Sequence, residues 1–97
     1  MKTLNTDNFD EHKDNMVVLF YANWCPLCII LLDELRLFEE KSRERIKIID
    51  FDENNELAKR FNITGVPTAI AFRNGQIADV RPGFRETVQY REMINML

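Results

Sequence analysis

The chain contains an apolar run from residue 16 to residue 22, Met-Val-Val-Leu-Phe-Tyr-Ala, with no charged side chain in it. A strand that is apolar on both faces is typical of the centre of a sheet that is covered on both sides. Residues 46 to 51 and 68 to 72 are interpreted as two further core strands. These strands therefore require helices against both faces of one sheet.

Helical periodicity follows the first of these strands. Apolar residues recur at intervals of three and four, at Cys28, Leu31, Leu32, Leu35 and Phe38. This spacing predicts one helix with a single buried face, which begins near Cys25 and ends around Ser42. Pro26 suits its first position, because no backbone N–H donor is needed there.

Capping and turn residues divide the rest of the chain. We expect a short strand over residues 2 to 5 and a short helix over about residues 7 to 13. A further helix, capped by Asn54 or Asn55, should end at about Phe61.

The C-terminal third of the chain predicts a hairpin and a helix. Asn74-Gly75 is a strong signal for a two-residue turn, which leads into a strand over residues 76 to 81. A last helix begins at about residue 85, with four apolar residues on its inner face: Tyr90, Met93, Ile94 and Leu97.

The order of these elements predicts the fold class. Strands that alternate with helices pair in parallel through crossovers, whereas the hairpin adds an antiparallel pair. We expect an α/β fold in which helices flank both faces of a central mixed sheet of four or five strands. The length of 97 residues favours one domain over residues 1 to 97.

Composition and charge exclude several classes of partner. The net charge is −3, and the most basic stretch, residues 41 to 45, is interrupted by Glu44 and is typical of a solvated helix end. The N-terminus lacks an apolar core of signal-peptide length, and no segment approaches the ~18 apolar residues of a membrane helix. We therefore expect a cytoplasmic protein that binds neither nucleic acid nor membrane.

Cys25 and Cys28 lie at the predicted junction between the first core strand and the helix that follows it. The free N–H groups and the dipole of a helix N-terminus stabilise negative charge, and so favour the thiolate, which is the nucleophilic form of cysteine. Cys25 is therefore a candidate nucleophile, and Cys28 lies one turn away as its partner.

Other interpretations of the titratable residues carry less weight. A structural zinc site needs about four ligands, whereas this chain offers two cysteines and His12, which is distant in sequence. Two chains that share a metal or an iron–sulfur cluster through four cysteines remain an alternative. Asp50 and Asp52 are interpreted as turn or surface residues, with Asp52 a candidate acceptor for the hydroxyl of Tyr21.

With these residues the chain resembles the thioredoxin family over nearly its whole length. The matching segments are residues 20 to 28 (Phe-Tyr-Ala-Asn-Trp-Cys-Pro-Leu-Cys), residues 50 to 52 and residues 63 to 68 (Ile-Thr-Gly-Val-Pro-Thr). Residues 72 to 75 and Gly83 follow at the family's spacing. A Cys-x-x-Cys pair beside a βαβ pattern is typical of this family. The resemblance implies the thioredoxin fold and a thiol–disulfide oxidoreductase.

The resemblance also implies a role for individual residues. Cys25 would be the attacking thiol and Cys28 the resolving thiol. Pro67 would be a cis proline packed against the cysteine pair, which leaves the backbone of Val66 free to pair with an extended substrate segment. Gly83 would line the same groove.

The family's chemistry also implies the partners. The substrates would be protein disulfides, and a reductase, in this family usually thioredoxin reductase, would recycle the dithiol. The protein would act as a monomer, and no metal or organic cofactor is implied.

An apolar rim is predicted around the Cys25 thiol. Its members are Trp24, Pro26, Leu27, Ile29, Val66 and Phe84. A contiguous exposed apolar patch marks a docking site for partners. The alternative is that Ile29 and Phe84 pack into the core.

The chain departs from the family's pattern in three places. Pro26-Leu27 separates the cysteines where thioredoxin has Gly-Pro, Leu19 stands where the family has a buried aspartate, and Ile48 stands where it has the partner lysine. Loss of both charges is close to neutral for stability. It removes a general base for the resolving thiol. An alternative function is therefore an interaction or folding-assist module with little redox turnover.

Overall fold

The computed structural model describes residues 1 to 12 and 14 to 97, which form a five-stranded sheet packed between helices. The strands are β1 (Lys2–Thr3), β2 (Met16–Tyr21), β3 (Ile46–Asp50), β4 (Thr68–Arg73) and β5 (Gln76–Pro82). The helices are α1 (Phe9–His12), α2 (Pro26–Leu35), α3 (Glu40–Glu44), α4 (Asn55–Arg60) and α5 (Thr87–Asn95).

The sheet is mixed, with strand order β1-β3-β2-β4-β5. Strand β3 pairs in parallel with β1 and β2, whereas β4 pairs antiparallel with β2 and β5. This arrangement confirms the predicted fold class, an α/β fold with a central mixed sheet. The hairpin between β4 and β5 turns at Asn74 and Gly75, both of which have the positive φ that the turn requires.

The core consists of two layers of apolar side chains, one on each face of the sheet. Val17 and Leu19 of β2 pack with side chains of α2 and α5. Val18 and Phe20 of the same strand pack with side chains of α1 and α4. Because successive residues of a strand point to opposite faces, the unbroken apolar run is explained by burial on both sides.

The single helix predicted from Cys25 to Ser42 is wrong, because the chain leaves the helix after Leu35. The N–H groups of Leu37 and Phe38 donate to carbonyl groups three residues earlier, which tightens the last turn of α2. The break leaves Leu37 85% exposed and still buries Phe38 in the layer with α2 and α5. A separate helix, α3, begins at Glu40.

The N-terminal elements are shorter than predicted. The first strand ends at Thr3, and the helix expected over residues 7 to 13 spans Phe9–His12, with Lys13 outside the described residues. No helix among residues 1 to 12 and 14 to 97 is long and apolar enough to cross a membrane.

Asn54 occupies the cap position of α4, but its side chain makes no capping hydrogen bond. Its Oδ1 instead accepts the N–H of Thr6 at 2.9 Å, and its Nδ2 donates to the carbonyl oxygen of Asp50 at 2.9 Å. Asn54 therefore has the predicted position at the start of α4 but does not make the predicted capping hydrogen bond. The buried amide joins the N-terminal segment to the end of β3.

Replacing Asn54 with alanine is expected to lower the free energy of unfolding by about 1–3 kcal/mol, because the Thr6 N–H and the Asp50 carbonyl lose their partner. Urea denaturation measures this loss. Asn55→Ala is the matched control, because Asn55 is exposed, and its change should stay within about 0.5 kcal/mol. Equal losses in the two variants would contradict the proposed link.

Candidate active site

Cys25 lies where the chain leaves β2 and enters α2. It is the N-cap residue of α2, its backbone is extended, and Pro26 fills the first helical turn. The Sγ of Cys25 accepts a hydrogen bond from the backbone N–H of Cys28 at 3.2 Å. The sulfur thus takes up one of the donors that a helix start leaves unpaired, in a position that favours negative charge.

The two thiols differ in access to solvent. Both are free, but Cys25 is 6% exposed and Cys28 is completely buried. Trp24, Pro26 and Leu27, which surround Cys25 in sequence, are exposed. A sulfur that approaches from solvent therefore reaches Cys25 and not Cys28.

Burial raises the pKa of the Cys28 thiol to about 12, and the neighbouring sulfur of Cys25 adds to this by a hydrogen bond and by its charge. The backbone of Ala22 acts in the opposite direction. Cys28 is consequently a neutral thiol at pH 7. It needs to lose a proton before it can act as a nucleophile.

The loop before β4 lies against the cysteines. The Val66–Pro67 peptide bond is cis, and Val66 packs against the cluster of Ala22, Cys25 and Cys28. Among the described residues, no hydrogen bond uses the N–H or carbonyl group of Val66. This segment therefore presents unpaired backbone groups next to the thiols.

Gly83 borders the same loop. Its N–H donates to the carbonyl oxygen of Pro67 at 2.8 Å, and its φ of +80° is one that glycine adopts at little cost. A cleft of about 300 Å³ is lined by residues 62 to 68 together with residues 80, 82 and 83. The structure thus brings Val66, Pro67 and Gly83 together, as the resemblance implied.

The indole of Trp24 is held by an acidic side chain that the sequence did not assign to it. Its Nε1–H donates to Oδ2 of Asp52 at 2.7 Å. Asp52 is itself positioned by its backbone N–H, which donates to Oδ1 of Asp50 at 2.9 Å. The expected bond from Tyr21 to Asp52 is therefore replaced by one from Trp24. The Trp24 side chain, which is 65% exposed, is thereby held to Asp52.

Five of the six residues of the predicted apolar rim are exposed, whereas Val66 is half-buried. Trp24 is about two-thirds exposed, Leu27 and Ile29 are exposed by half or nearly half, and Phe84 is 36% exposed. The alternative, in which Ile29 and Phe84 lie in the core, is wrong. Exposed apolar side chains of this kind are available for contact with a partner.

Two apolar residues occupy the positions where the family's pattern has a buried aspartate and its partner lysine. Leu19 and Ile48 are both buried and are paired in register between β2 and β3. Their side chains belong to one apolar cluster with Leu31 and Leu32 of α2. Among the described residues, no group of three or more His, Cys, Asp or Glu side chains could hold a metal ion.

A model of the thioredoxin family matches residues 1 to 96. The chain belongs to the thioredoxin family. It is 37% identical to a thioredoxin of Mycoplasmoides gallisepticum over 93 residues, which cover 91% of this chain and 89% of that relative. It is 28% identical to a thioredoxin of Bacillus subtilis, with 91% and 88% covered.

Solved thioredoxin structures share the fold of this family member. Mitochondrial thioredoxin 3 from Saccharomyces cerevisiae, in its oxidised form, superposes with a TM-score of 0.85 at 26% identity, and the match covers 100% of this chain and 95% of that one. A thioredoxin from Malassezia sympodialis superposes at 0.82 with 20% identity, covering 98% and 89%, and shows the fold alone. Family and fold together support a thiol–disulfide oxidoreductase.

Replacing Asp52 with alanine should release the indole of Trp24, because the acceptor of its hydrogen bond is lost. Trp24 is the sole tryptophan, so its fluorescence reports on this contact directly. We expect lower anisotropy and stronger acrylamide quenching. Asp52→Asn keeps an acceptor oxygen and should change both less. Unchanged fluorescence in Asp52→Ala would rule out the bond in solution.

Proposed function

We propose that this protein catalyses dithiol–disulfide exchange on protein substrates, with Cys25 as the attacking thiol and Cys28 as the resolving thiol. The observation that supports this assignment most directly is the asymmetry of the pair. The sulfur of Cys25, which is 6% exposed, caps the start of α2, whereas Cys28 is completely buried one turn further along.

The first step is attack by the Cys25 thiolate on one sulfur of a substrate disulfide. A bond forms between Cys25 and that sulfur, the substrate S–S bond breaks, and the second substrate sulfur leaves as a thiolate that takes up a proton from water. The capping N–H of Cys28 stabilises the thiolate before the attack.

The second step is attack by Cys28 on the sulfur of Cys25. Cys28 gives its proton to solvent, its thiolate forms the Cys25–Cys28 bond, and the remaining substrate sulfur leaves. The substrate has then gained two electrons and the protein has lost two. Both steps balance with two thiols and one disulfide as the only reactants, so we propose no metal or organic cofactor.

The surroundings of Cys25 favour an extended protein segment as substrate. The unpaired backbone of Val66 can form main-chain hydrogen bonds with such a segment, as an added strand would. The rim residues Trp24, Pro26, Leu27 and Phe84 supply apolar contact, and Pro67 and Gly83 border the groove.

We further propose a setting for this activity. The protein would act as a monomer of one domain over residues 1 to 97, in the cytoplasm. A disulfide reductase, thioredoxin reductase in this family, would return the Cys25–Cys28 disulfide to the dithiol. The rival proposal, a binding module with little turnover, is favoured by Leu19 and Ile48, and turnover measurements separate the two.

Cys25→Ser should reduce insulin disulfides no faster than dithiothreitol alone, because the nucleophile is missing. Cys28→Ser is the matched control: it keeps the attacking thiol and should accumulate a covalent mixed disulfide, detected by mass spectrometry. If Cys25→Ser turned over like the unmodified protein, or if the unmodified protein showed no turnover, the exchange function would be lost as a proposal.

Phe84→Ser should raise the KM for a protein disulfide about fivefold. The exposed third of the phenyl ring is worth about 1 kcal/mol when a partner covers it. Reaction with a small disulfide should not change. Leu37→Ser is the control, because Leu37 is exposed beyond the other end of α2. An equal loss on both substrates would indicate a folding defect and contradict a docking role.

A further inference from the structure

The hydroxyl of Tyr90 is the most unusual polar group in the core. Tyr90 lies on α5 and is completely buried, and its hydroxyl has no hydrogen-bond partner among the residues that the structure describes. Leaving a buried hydroxyl unpaired costs about 1–3 kcal/mol. A phenylalanine would fill the same space without this cost, so the hydroxyl needs an explanation.

The position of Tyr90 links it to the cysteine site. Helix α5 packs against both β2 and α2. The Tyr90 side chain belongs to the same buried cluster as Leu19 of β2 and as Leu31 and Leu32 of α2. These two leucines follow Cys28 by one turn on the buried face of α2. The Tyr90 side chain therefore lies in the apolar layer that the residues after Cys28 form on the buried face of α2.

The Tyr90 hydroxyl and the Cys28 thiol also interact electrostatically. Burial raises the pKa of the Tyr90 hydroxyl above its usual range, and a charge on Cys28 raises it further. Tyr90 is consequently no base at neutral pH. It keeps its proton, and its O–H is available as a hydrogen-bond donor.

Other titratable groups also lie near Cys28 and Tyr90. Cys25, at the start of α2, raises the pKa of Cys28. The charge of Arg85, in the segment before α5, lowers the pKa of Tyr90. Tyr21, at the end of β2, packs against the cysteines. Residues 16 to 20 of β2 are all apolar. The charged residues of α2, Asp33 and Glu34, follow Cys28 on the side away from its buried face.

We propose that the Tyr90 hydroxyl donates a hydrogen bond to the sulfur of Cys28 when that residue becomes a thiolate in the second step of exchange. The inference rests on the proposed function and deepens it. The proton of Cys28 still leaves to solvent, and the attack on Cys25 proceeds as described. Tyr90 lowers the free energy of the thiolate that makes this attack.

The unpaired hydroxyl of the reduced state is consistent with this role. A neutral thiol is a weak acceptor, so little is gained by bonding to it. A thiolate is charged, and hydrogen bonds to charged acceptors are about twice as strong. The bond therefore forms when Cys28 ionises.

Tyr90→Phe tests the proposal, because it removes one oxygen and keeps the ring. One equivalent of dithiobis(nitrobenzoate), which releases a coloured thiolate, is mixed with reduced protein in a stopped-flow instrument. A first, concentration-dependent release reports attack by Cys25. A second, concentration-independent release reports attack by Cys28. We expect the first to be unchanged, and the second to be about tenfold slower at pH 7 with its pH profile moved up by about one unit.

Two measurements separate this role from a structural one. Tyr21→Phe removes the other phenol near the cysteines and should leave the second phase unchanged. Urea denaturation of Tyr90→Phe should give equal or higher stability, because an unpaired buried hydroxyl is gone.

The outcomes distinguish the two proposals. If Tyr90→Phe shows the second phase and pH profile of the unmodified protein, or if Tyr21→Phe shows the same shift, the role of Tyr90 is overturned. If the unmodified protein shows no second phase, the exchange function itself is overturned.

Discussion

The hydrogen bond from the Cys28 N–H to the Cys25 sulfur is the contact on which the site depends. A helix that starts directly after a buried strand leaves backbone donors unpaired at the sheet edge, and the Cys25 side chain takes up one of them. The contact that begins α2 therefore also holds the reactive sulfur. In the proposed exchange, this hydrogen bond weakens once the sulfur of Cys25 is joined to a substrate, because a disulfide sulfur is uncharged.

The parts of the fold that follow from local pattern could be predicted from the sequence. The apolar run at residues 16 to 22 predicted β2, and the three-and-four spacing from Cys28 to Phe38 predicted which side chains are buried. The same spacing did not reveal that the chain leaves the helix after Leu35. Phe38 remains buried on either path, so periodicity alone does not distinguish a continuous helix from a tightened turn.

The contacts that fix the candidate site were predicted less well, because they join residues that are distant in sequence. The indole of Trp24 meets Asp52, 28 positions later, and the amide of Asn54 meets Thr6, 48 positions earlier. The first pair depends on how β2 and β3 are placed side by side, and the second on how β1 and β3 are placed, which no local propensity encodes. The chemistry of the cysteine pair was accessible to sequence reasoning because strand end, proline and helix start are contiguous there.

The polar group that we propose acts on the buried Cys28 thiol is an uncharged phenol, that of Tyr90. The family's pattern instead has an aspartate and a lysine, at the positions of Leu19 and Ile48. A buried carboxylate requires a compensating charge, and removal of either member alone is costly, whereas apolar residues in both places are close to neutral. Leu19 and Ile48 satisfy that condition. A phenol adds a donor without adding a charge, at the cost of one unpaired hydroxyl.

The difference between a carboxylate and a phenol affects how the rate of the proposed second step depends on pH. A carboxylate can accept the proton of the resolving thiol, whereas the Tyr90 hydroxyl can only stabilise the thiolate after the proton has gone to water. With the pKa of Cys28 raised to about 12, its thiolate fraction increases tenfold for each pH unit through the neutral range. A core of this kind makes the rate of the proposed second step rise with pH throughout the neutral range.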